Sequence, residues 1–222
     1  MQAYQSDFID FLISSKALNF GDFILKSGRK APYFINTGKF ETGEHLAKLA
    51  NFYASRIASL NVGKLDVIFG PAYKGIPLAV AAAMALYTEH GLSLSYAFDR
   101  KEIKDHGDKG KIVGHKFQPG ERVVIVEDVI TAGTTLREVV PMLKALAPIE
   151  IVGVVISVDR CERGSGTLSA AKETELELGV PVFQIVTIHE IVEHLSSPNS
   201  SGFTLEAAMQ ERIRAYLAEY GA

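Results

Sequence analysis

Two adjacent carboxylates, Glu127 and Asp128, close an apolar run at Arg122–Val126 and are followed by Thr131, Gly133, Thr134 and Thr135. A strand that ends in such a loop and opens a helix leaves unpaired backbone N–H groups and the positive end of a helix dipole, which favour a phosphate. Gly133 lets the backbone approach closely, and the threonine hydroxyls can donate further hydrogen bonds. The two acids would repel a bare phosphate. They make sense if the ligand also presents donors, such as the 2′- and 3′-hydroxyls of a ribose, or a bound cation. A ribose 5-phosphate satisfies both halves of the segment, whereas as plain structure the same residues are a buried strand with an acidic helix cap.

Gly70-Pro71-Ala72-Tyr73-Lys74-Gly75 also lies between a strand and a helix, so its lysine and amides suit a second anionic group, or it is a plain turn with an exposed lysine. From Arg100 to Lys116 there are six lysines and arginines against three acids, a local charge of +3, together with Gly107, Gly110 and Gly114. A long charged loop in a compact domain is either disordered surface or a functional lid. Arg160 follows a long β-branched run, where an arginine alone is usually just solvated. His115, His189 and His194 read as surface or packing residues. Cys161 has no base beside it in sequence and takes no catalytic role.

The elements that position these residues follow from hydrophobic periodicity. Residues 4–18 read as an amphipathic helix, with Phe8, Phe11, Leu12 and Leu18 inward. Strands are expected at 22–26 and 32–36, joined by a turn at Ser27-Gly28-Arg29-Lys30. Thr42 caps a helix carrying Leu46, Leu49, Ala50, Tyr53 and Ile57 inward. Strands at 66–69, 94–98, 122–126, 149–158 and 182–186 then alternate with helices at 75–89, 134–146 and 168–178; Pro141 should kink or shorten the second of these. Such alternation predicts an α/β fold, a central, mostly parallel sheet covered on both faces. The early hairpin stands outside it as a small appended hood. The expected organisation is one domain over 1–222: a hood to about residue 40, a core at about 41–195, a flexible connector at 196–202 and a C-terminal helix over about 203–220.

Composition narrows the classes. The chain has 222 residues, 47% apolar and 22% charged, with a net charge of −3. No global basic field argues for nucleic acid, and no basic recognition helix is present. The run from Ile76 to Tyr87 is twelve residues, short of the roughly 20 of a membrane span. One cysteine excludes an intramolecular disulfide framework, and no secretory signal is visible at the start, so a cytoplasmic location is expected. Neither Gly-x-Gly-x-x-Gly nor Gly-x4-Gly-Lys-Ser/Thr occurs, which disfavours Rossmann and P-loop nucleotide binders.

The stretch from Val123 to Thr135 resembles the phosphoribosyl pyrophosphate signature of type I phosphoribosyltransferases. Five further segments resemble the orotate phosphoribosyltransferases: Leu25 to Arg29, Pro32 to Gly38, Phe69 to Pro77, Asp99 to Gly107 and Val158 to Gly164. The resemblance implies a type I phosphoribosyltransferase-like fold and the transfer of ribose 5-phosphate from phosphoribosyl pyrophosphate to orotate. It implies that phosphoribosyl pyrophosphate is held by Lys26, Tyr73, Lys74, Arg100, Lys101, Lys104 and His106, and by the segment Glu127, Asp128, Val129, Ile130, Thr131, Ala132, Gly133, Thr134 and Thr135. Catalytic roles are implied for Lys26, Lys101, Lys104, His106 and Asp128. Orotate would meet Lys26, Phe34, Ile35, Thr131 and Arg160, the last because a guanidinium can grip a carboxylate in two places. Ile35 replaces the second aromatic common in the family, and Glu127 replaces an aspartate with the carboxylate kept. The resemblance further implies Mg²⁺, held mainly by substrate and water, a cis Ala72–Tyr73 peptide, and a homodimer whose lid, Arg100 to Lys116, crosses to the partner subunit.

Overall fold

The computed structural model describes residues 1–25, 28–104 and 110–222, without the side chains of 103 and 104. Helix α1 (Ala3–Ser14) leads into β1 (Leu18–Ile24), which pairs antiparallel with β2 (Lys30–Ile35) in a two-stranded sheet of its own. The first helix is shorter than its periodicity predicts. Ser15 hydroxyl donates to Phe11 O at 2.6 Å, and Lys16 adopts φ 58°, which turns the chain so that Leu18 begins a strand instead of closing a helical face. The first strand accordingly ends at Ile24, earlier than the expected 22–26.

Helix α2 (Gly43–Ala58), capped by Thr42 as expected, precedes β3 (Val67–Gly70) and α3 (Gly75–His90). Next come β4 (Ser95–Lys104), β5 (Gly110–Gly114), β6 (Arg122–Val126), α4 (Thr134–Leu146), β7 (Glu150–Asp159), α5 (Ala170–Leu178), β8 (Val182–Thr187), α6 (Ile188–Leu195) and α7 (Ala207–Tyr220). The six-stranded sheet runs β5-β4-β3-β6-β7-β8, parallel except for the β4–β5 pair.

Three local expectations are corrected. Within the 100–116 segment, expected as a loop, residues 100–104 continue β4 and residues 110–114 form the edge strand β5. Pairing of backbone groups imposes the strand there, while the charged side chains hide the signal that apolar alternation would have supplied. Helix α4 runs through Pro141 to Leu146, its buried face of Leu136, Val139, Val140 and Leu143 offsetting the hydrogen bond that proline cannot make. Helix α6, not anticipated, begins with a capping box in which Thr187 and Glu190 satisfy each other's backbone amides. The connector after it is stitched by Asn199, whose side chain donates to Ser197 O and Phe203 O and accepts from the Ser201 amide.

The sheet divides the core into two layers, as strand alternation requires. Val124 and Val126 point with Ile68 into a cluster containing Leu49 and Tyr53 of α2, Leu78 and Ala82 of α3, Ile191 of α6 and Tyr216 of α7. Val123 and Ile125 point with Phe69 to Leu136, Val139 and Leu143 of α4. The chain leaves β3 by α3 toward β4 but leaves β6 by α4 toward β7, on the other side. Between β3 and β6 the strand order therefore reverses, and their carboxyl ends border a crevice of the kind where open α/β sheets bind ligands.

Candidate functional site

Two loops meet across this crevice. The first follows β3, and its close turn is sterically enforced: a Cβ built on Gly75 would lie 2.7 Å from Pro71 Cδ. The Ala72–Tyr73 peptide is cis. The buried carboxylate of Asp99, from β4, accepts the Ala72 amide at 2.6 Å and so ties this loop to the neighbouring strand. Tyr73 is exposed, and Lys74 reaches over to the second loop.

That second loop follows β6. Glu127 and Asp128 are both buried, and their backbone is fixed from behind: Tyr53 hydroxyl donates to Glu127 O at 2.7 Å, and Ser157 hydroxyl donates to Asp128 O at 2.5 Å. Asp128 Oδ2 accepts from Lys74 Nζ at 2.7 Å and from Thr37 hydroxyl at 2.8 Å, while its Oδ1 accepts the Val129 amide at 2.7 Å. Burial pushes the Asp128 carboxyl up, but Lys74, the Val129 amide and Thr37 together outweigh it and hold the group below the usual aspartate range. Glu127 has no cation of its own at bonding distance among the described residues, and burial pushes it up to about 7. One carboxylate is thus fixed as an anion while its neighbour sits near its protonation point.

Glu127 predicts a pH dependence of stability. Its folded pKa lies above its ordinary 4.5, so the folded state holds a proton that the unfolded state releases. The resulting stability is present below about 4.5 and is lost as pH rises through about 7. Glu127→Gln should melt near the wild-type temperature at pH 5 and above it at pH 8. An offset independent of pH would contradict the assignment.

Past the acids, Ile130 is buried against the β6–α4 layer and offers the site only its backbone. Thr131, Ala132 and Thr134 are exposed, Thr135 is half-buried, and Gly133 caps α4 at φ 68°. A Cβ on Gly133 would lie 2.5 Å from Thr174 Oγ1 of α5, so close packing and backbone conformation both demand glycine.

The third part lies at the end of β7. Arg160 Nη2 and Nε donate to Glu162 Oε1 at 2.6 and 3.1 Å, and the guanidinium lies 5.2 Å from the Tyr33 ring centroid. Tyr33 is fully buried on β2, so the hairpin and the end of β7 are joined here. On the same strand Phe34 stacks on Phe23 at 5.6 Å, and Ile35 packs against the core. Arg100 is half-buried and Lys101 exposed, both on β4. Lys26 and His106 lie outside the described residues, as does the side chain of Lys104. Burial pushes the Cys161 thiol up to about 12, which leaves it inert as a nucleophile.

Sequence reasoning did not single out Thr37, Tyr53, Asp99, Ser157 or Glu162. Tyr53 was legible as an inward residue of its helix, and Thr37, Asp99 and Glu162 stand inside the segments that carry the resemblance, but most of their partners lie far away in the chain. Among the described residues no group of three or more His, Cys, Asp or Glu converges on a possible metal. The hard oxygens of Glu127 and Asp128 at the crevice are chemically suited to Mg²⁺, directly or through water.

Comparison with known proteins gives the family. A sequence profile described as "Phosphoribosyl transferase domain" matches residues 36–185. An orotate phosphoribosyltransferase of Clostridium acetobutylicum is 49% identical over 222 residues, covering 100% of this chain and 99% of that protein. One from Bifidobacterium longum is 50% identical, covering 97% and 96%. The crystal structure of an orotate phosphoribosyltransferase from Francisella tularensis superimposes with a TM-score of 0.85 at 38% identity, covering 97% of this chain and 100% of that one. With the expected sheet, crevice and loops in place, the chain belongs to the orotate phosphoribosyltransferases of the type I phosphoribosyltransferase family.

Proposed function

We propose that this protein transfers ribose 5-phosphate from phosphoribosyl pyrophosphate to orotate, giving orotidine 5′-monophosphate and pyrophosphate on the route to UMP. The observation that carries the reading is the meeting of Lys74 and Asp128 at 2.7 Å across the crevice, beside the start of α4. The N-terminus of α4, with Thr131, Gly133, Thr134 and Thr135, receives the 5-phosphate. Asp128 and Glu127 accept from the ribose hydroxyls, and Val129, Ile130 and Ala132 contribute backbone. Lys74 then exchanges Asp128 for the pyrophosphate, which Tyr73, Arg100 and Lys101 also border. Arg160 grips the orotate carboxylate, with Phe34, Ile35, Thr131 and Lys26 around the base.

Displacement at C1 of the ribose builds positive charge on the sugar and negative charge on the leaving pyrophosphate. No covalent nucleophile is needed; orientation and fixed charges supply the rate. Asp128, held anionic, faces the developing sugar cation. Lys26, Lys101, Lys104 and His106 neutralise the pyrophosphate, and an acidic group among them can protonate it. Mg²⁺, if bound mainly through substrate and water beside Glu127 and Asp128, would offset charge on the leaving pyrophosphate. We place the reaction in the cytoplasm; no helix among the described residues is long and apolar enough to cross a membrane.

Following loss of orotate absorbance with phosphoribosyl pyrophosphate and Mg²⁺ tests the reading. Turnover is expected with orotate and not with uracil, adenine or hypoxanthine. Turnover of a purine base in place of orotate would overturn it.

A homodimer is proposed with it. Met84 and Tyr87, one turn apart on α3, are 66% and 64% exposed, and Tyr96 of β4 is also exposed, an apolar surface suited to a second copy. If the 100–116 lid serves the partner's site, mixing Lys104→Ala with Asp128→Asn should restore activity, since one site per heterodimer then carries both intact residues. Mixed dimers shown to have exchanged subunits, yet as inactive as either parent, would rule out a shared site.

A further inference from the structure

One carboxylate outside the reacting centre gathers three partners, its near neighbour Arg160 and, from 133 and 129 residues away, Arg29 and Tyr33. Glu162 Oε1 accepts from Tyr33 hydroxyl at 2.8 Å and from Arg160 Nη2 and Nε at 2.6 and 3.1 Å, and its Oε2 lies 3.4 Å from Arg29 Nη1. The Arg160 and Glu162 side chains are 14% and 13% exposed, so this pair is largely shielded from water. Both bonds to Arg160 use the Nε–Nη2 edge, so Nη1 is not consumed by the pair. The Tyr33 ring lies against the guanidinium. Two guanidiniums, Arg29 and Arg160, face one carboxylate, which leaves a single positive charge unmatched within the cluster.

We propose that Glu162 is a positioning residue for base recognition: it pins the Arg160 guanidinium so that its Nη1 end meets the carboxylate of an anionic pyrimidine. This rests on the reading of Arg160 as the orotate grip. An unpinned arginine has many rotamers, and ordering them on binding costs affinity; Glu162 and the Tyr33 ring remove that freedom beforehand. The geometry is orienting and not competitive, because the edge held by Glu162 differs from the end left for the ligand. The single excess positive charge matches one substrate carboxylate and gives a neutral base nothing to neutralise.

Glu162 also sits in a structural junction: its backbone bridges Gly221, and the Arg29 guanidinium lies 4.5 Å from the Tyr220 ring centroid. The experiment must therefore separate positioning from support of the fold. Steady-state kinetics of the full chain would compare wild type, Glu162→Gln, Arg160→Ala and the double variant, with melting temperatures alongside. Glu162→Gln should raise the orotate KM about tenfold and leave the phosphoribosyl pyrophosphate KM within about twofold. In the Arg160→Ala background it should add nothing, because a residue acting through Arg160 has no second effect once Arg160 is gone. Tyr33→Phe, which keeps the ring and removes one donor to Glu162, should shift the orotate KM in the same direction by less; it serves if Glu162→Gln fails to fold.

An unchanged or lowered orotate KM in a folded Glu162→Gln protein would overturn the proposal, the lowered value marking Glu162 as a competitor of substrate. Equal weakening of both substrates with a fall in melting temperature would reduce Glu162 to a structural tie. If Arg160→Ala weakens orotate while Glu162→Gln does not, the positioning role alone fails. An orotate KM indifferent to Arg160→Ala removes the reading beneath it as well.

Discussion

Replacing Arg160 with alanine should cut kcat/KM for orotate by about 30-fold to a few thousand-fold, the equivalent of the roughly 2–5 kcal/mol lost when one partner of a buried charge pair is removed. The KM for phosphoribosyl pyrophosphate should barely move, because Arg160 stands at the end of β7 whereas Lys74 and Asp128 meet across the β3–β6 crevice. The fold should survive, since Glu162 keeps Tyr33 and Arg29 as partners after the substitution. Arg160→Lys should recover only part of the loss, because an ammonium cannot hold a carboxylate in two places. Equal weakening of both substrates would count against Arg160 as the residue that selects the base.

Gly133→Val should weaken phosphoribosyl pyrophosphate binding by roughly a hundredfold or more. At φ 68° a β-branched residue is strained, and its Cβ would meet Thr174 Oγ1 at 2.5 Å. The loop then shifts exactly where its amides must face the phosphate, and α4 loses the cap that starts it. Strands β3, β6 and β7 do not touch this position in their pairing, so the far-ultraviolet circular dichroism should keep its native form. Combining Gly133→Ala with Thr174→Ala separates the causes: it relieves the packing conflict and leaves the backbone strain. Calorimetric titration with phosphoribosyl pyrophosphate and Mg²⁺ reads both variants. Wild-type affinity in Gly133→Val would show that the loop at the start of α4 does not hold the phosphate.

Much of the architecture is legible because its causes are local. Arg122–Val126 is apolar at every position after its first, as a strand buried on both faces must be, and Val123 with Ile125 and Val124 with Val126 do enter opposite layers. The helix of Gly43–Ala58 shows its cap and its inward face together. The 100–116 region was not legible as strand, because β5 is an edge whose half-buried and exposed residues need no apolar alternation. Helix α6 is only eight residues and followed β8 without a break, so no turn signalled its start.

By itself the sequence determined the strand–helix alternation, the acidic and glycine-containing loop after Arg122–Val126, and the charged run beside it, because propensity, periodicity and turn chemistry act over a few neighbours. Tertiary structure alone decided which of these groups work together. Thr37 is 91 residues from Asp128 and Lys74 is 54, yet both hydrogen bond to the same carboxylate oxygen. Tyr33 is 129 residues from Glu162, the group that also holds Arg160. The charge states follow in part the same division: Glu127 and Asp128 are adjacent, similar acids, and beyond the local Val129 amide it is the folded chain that brings Lys74 and Thr37 to Asp128 and leaves burial to dominate Glu127.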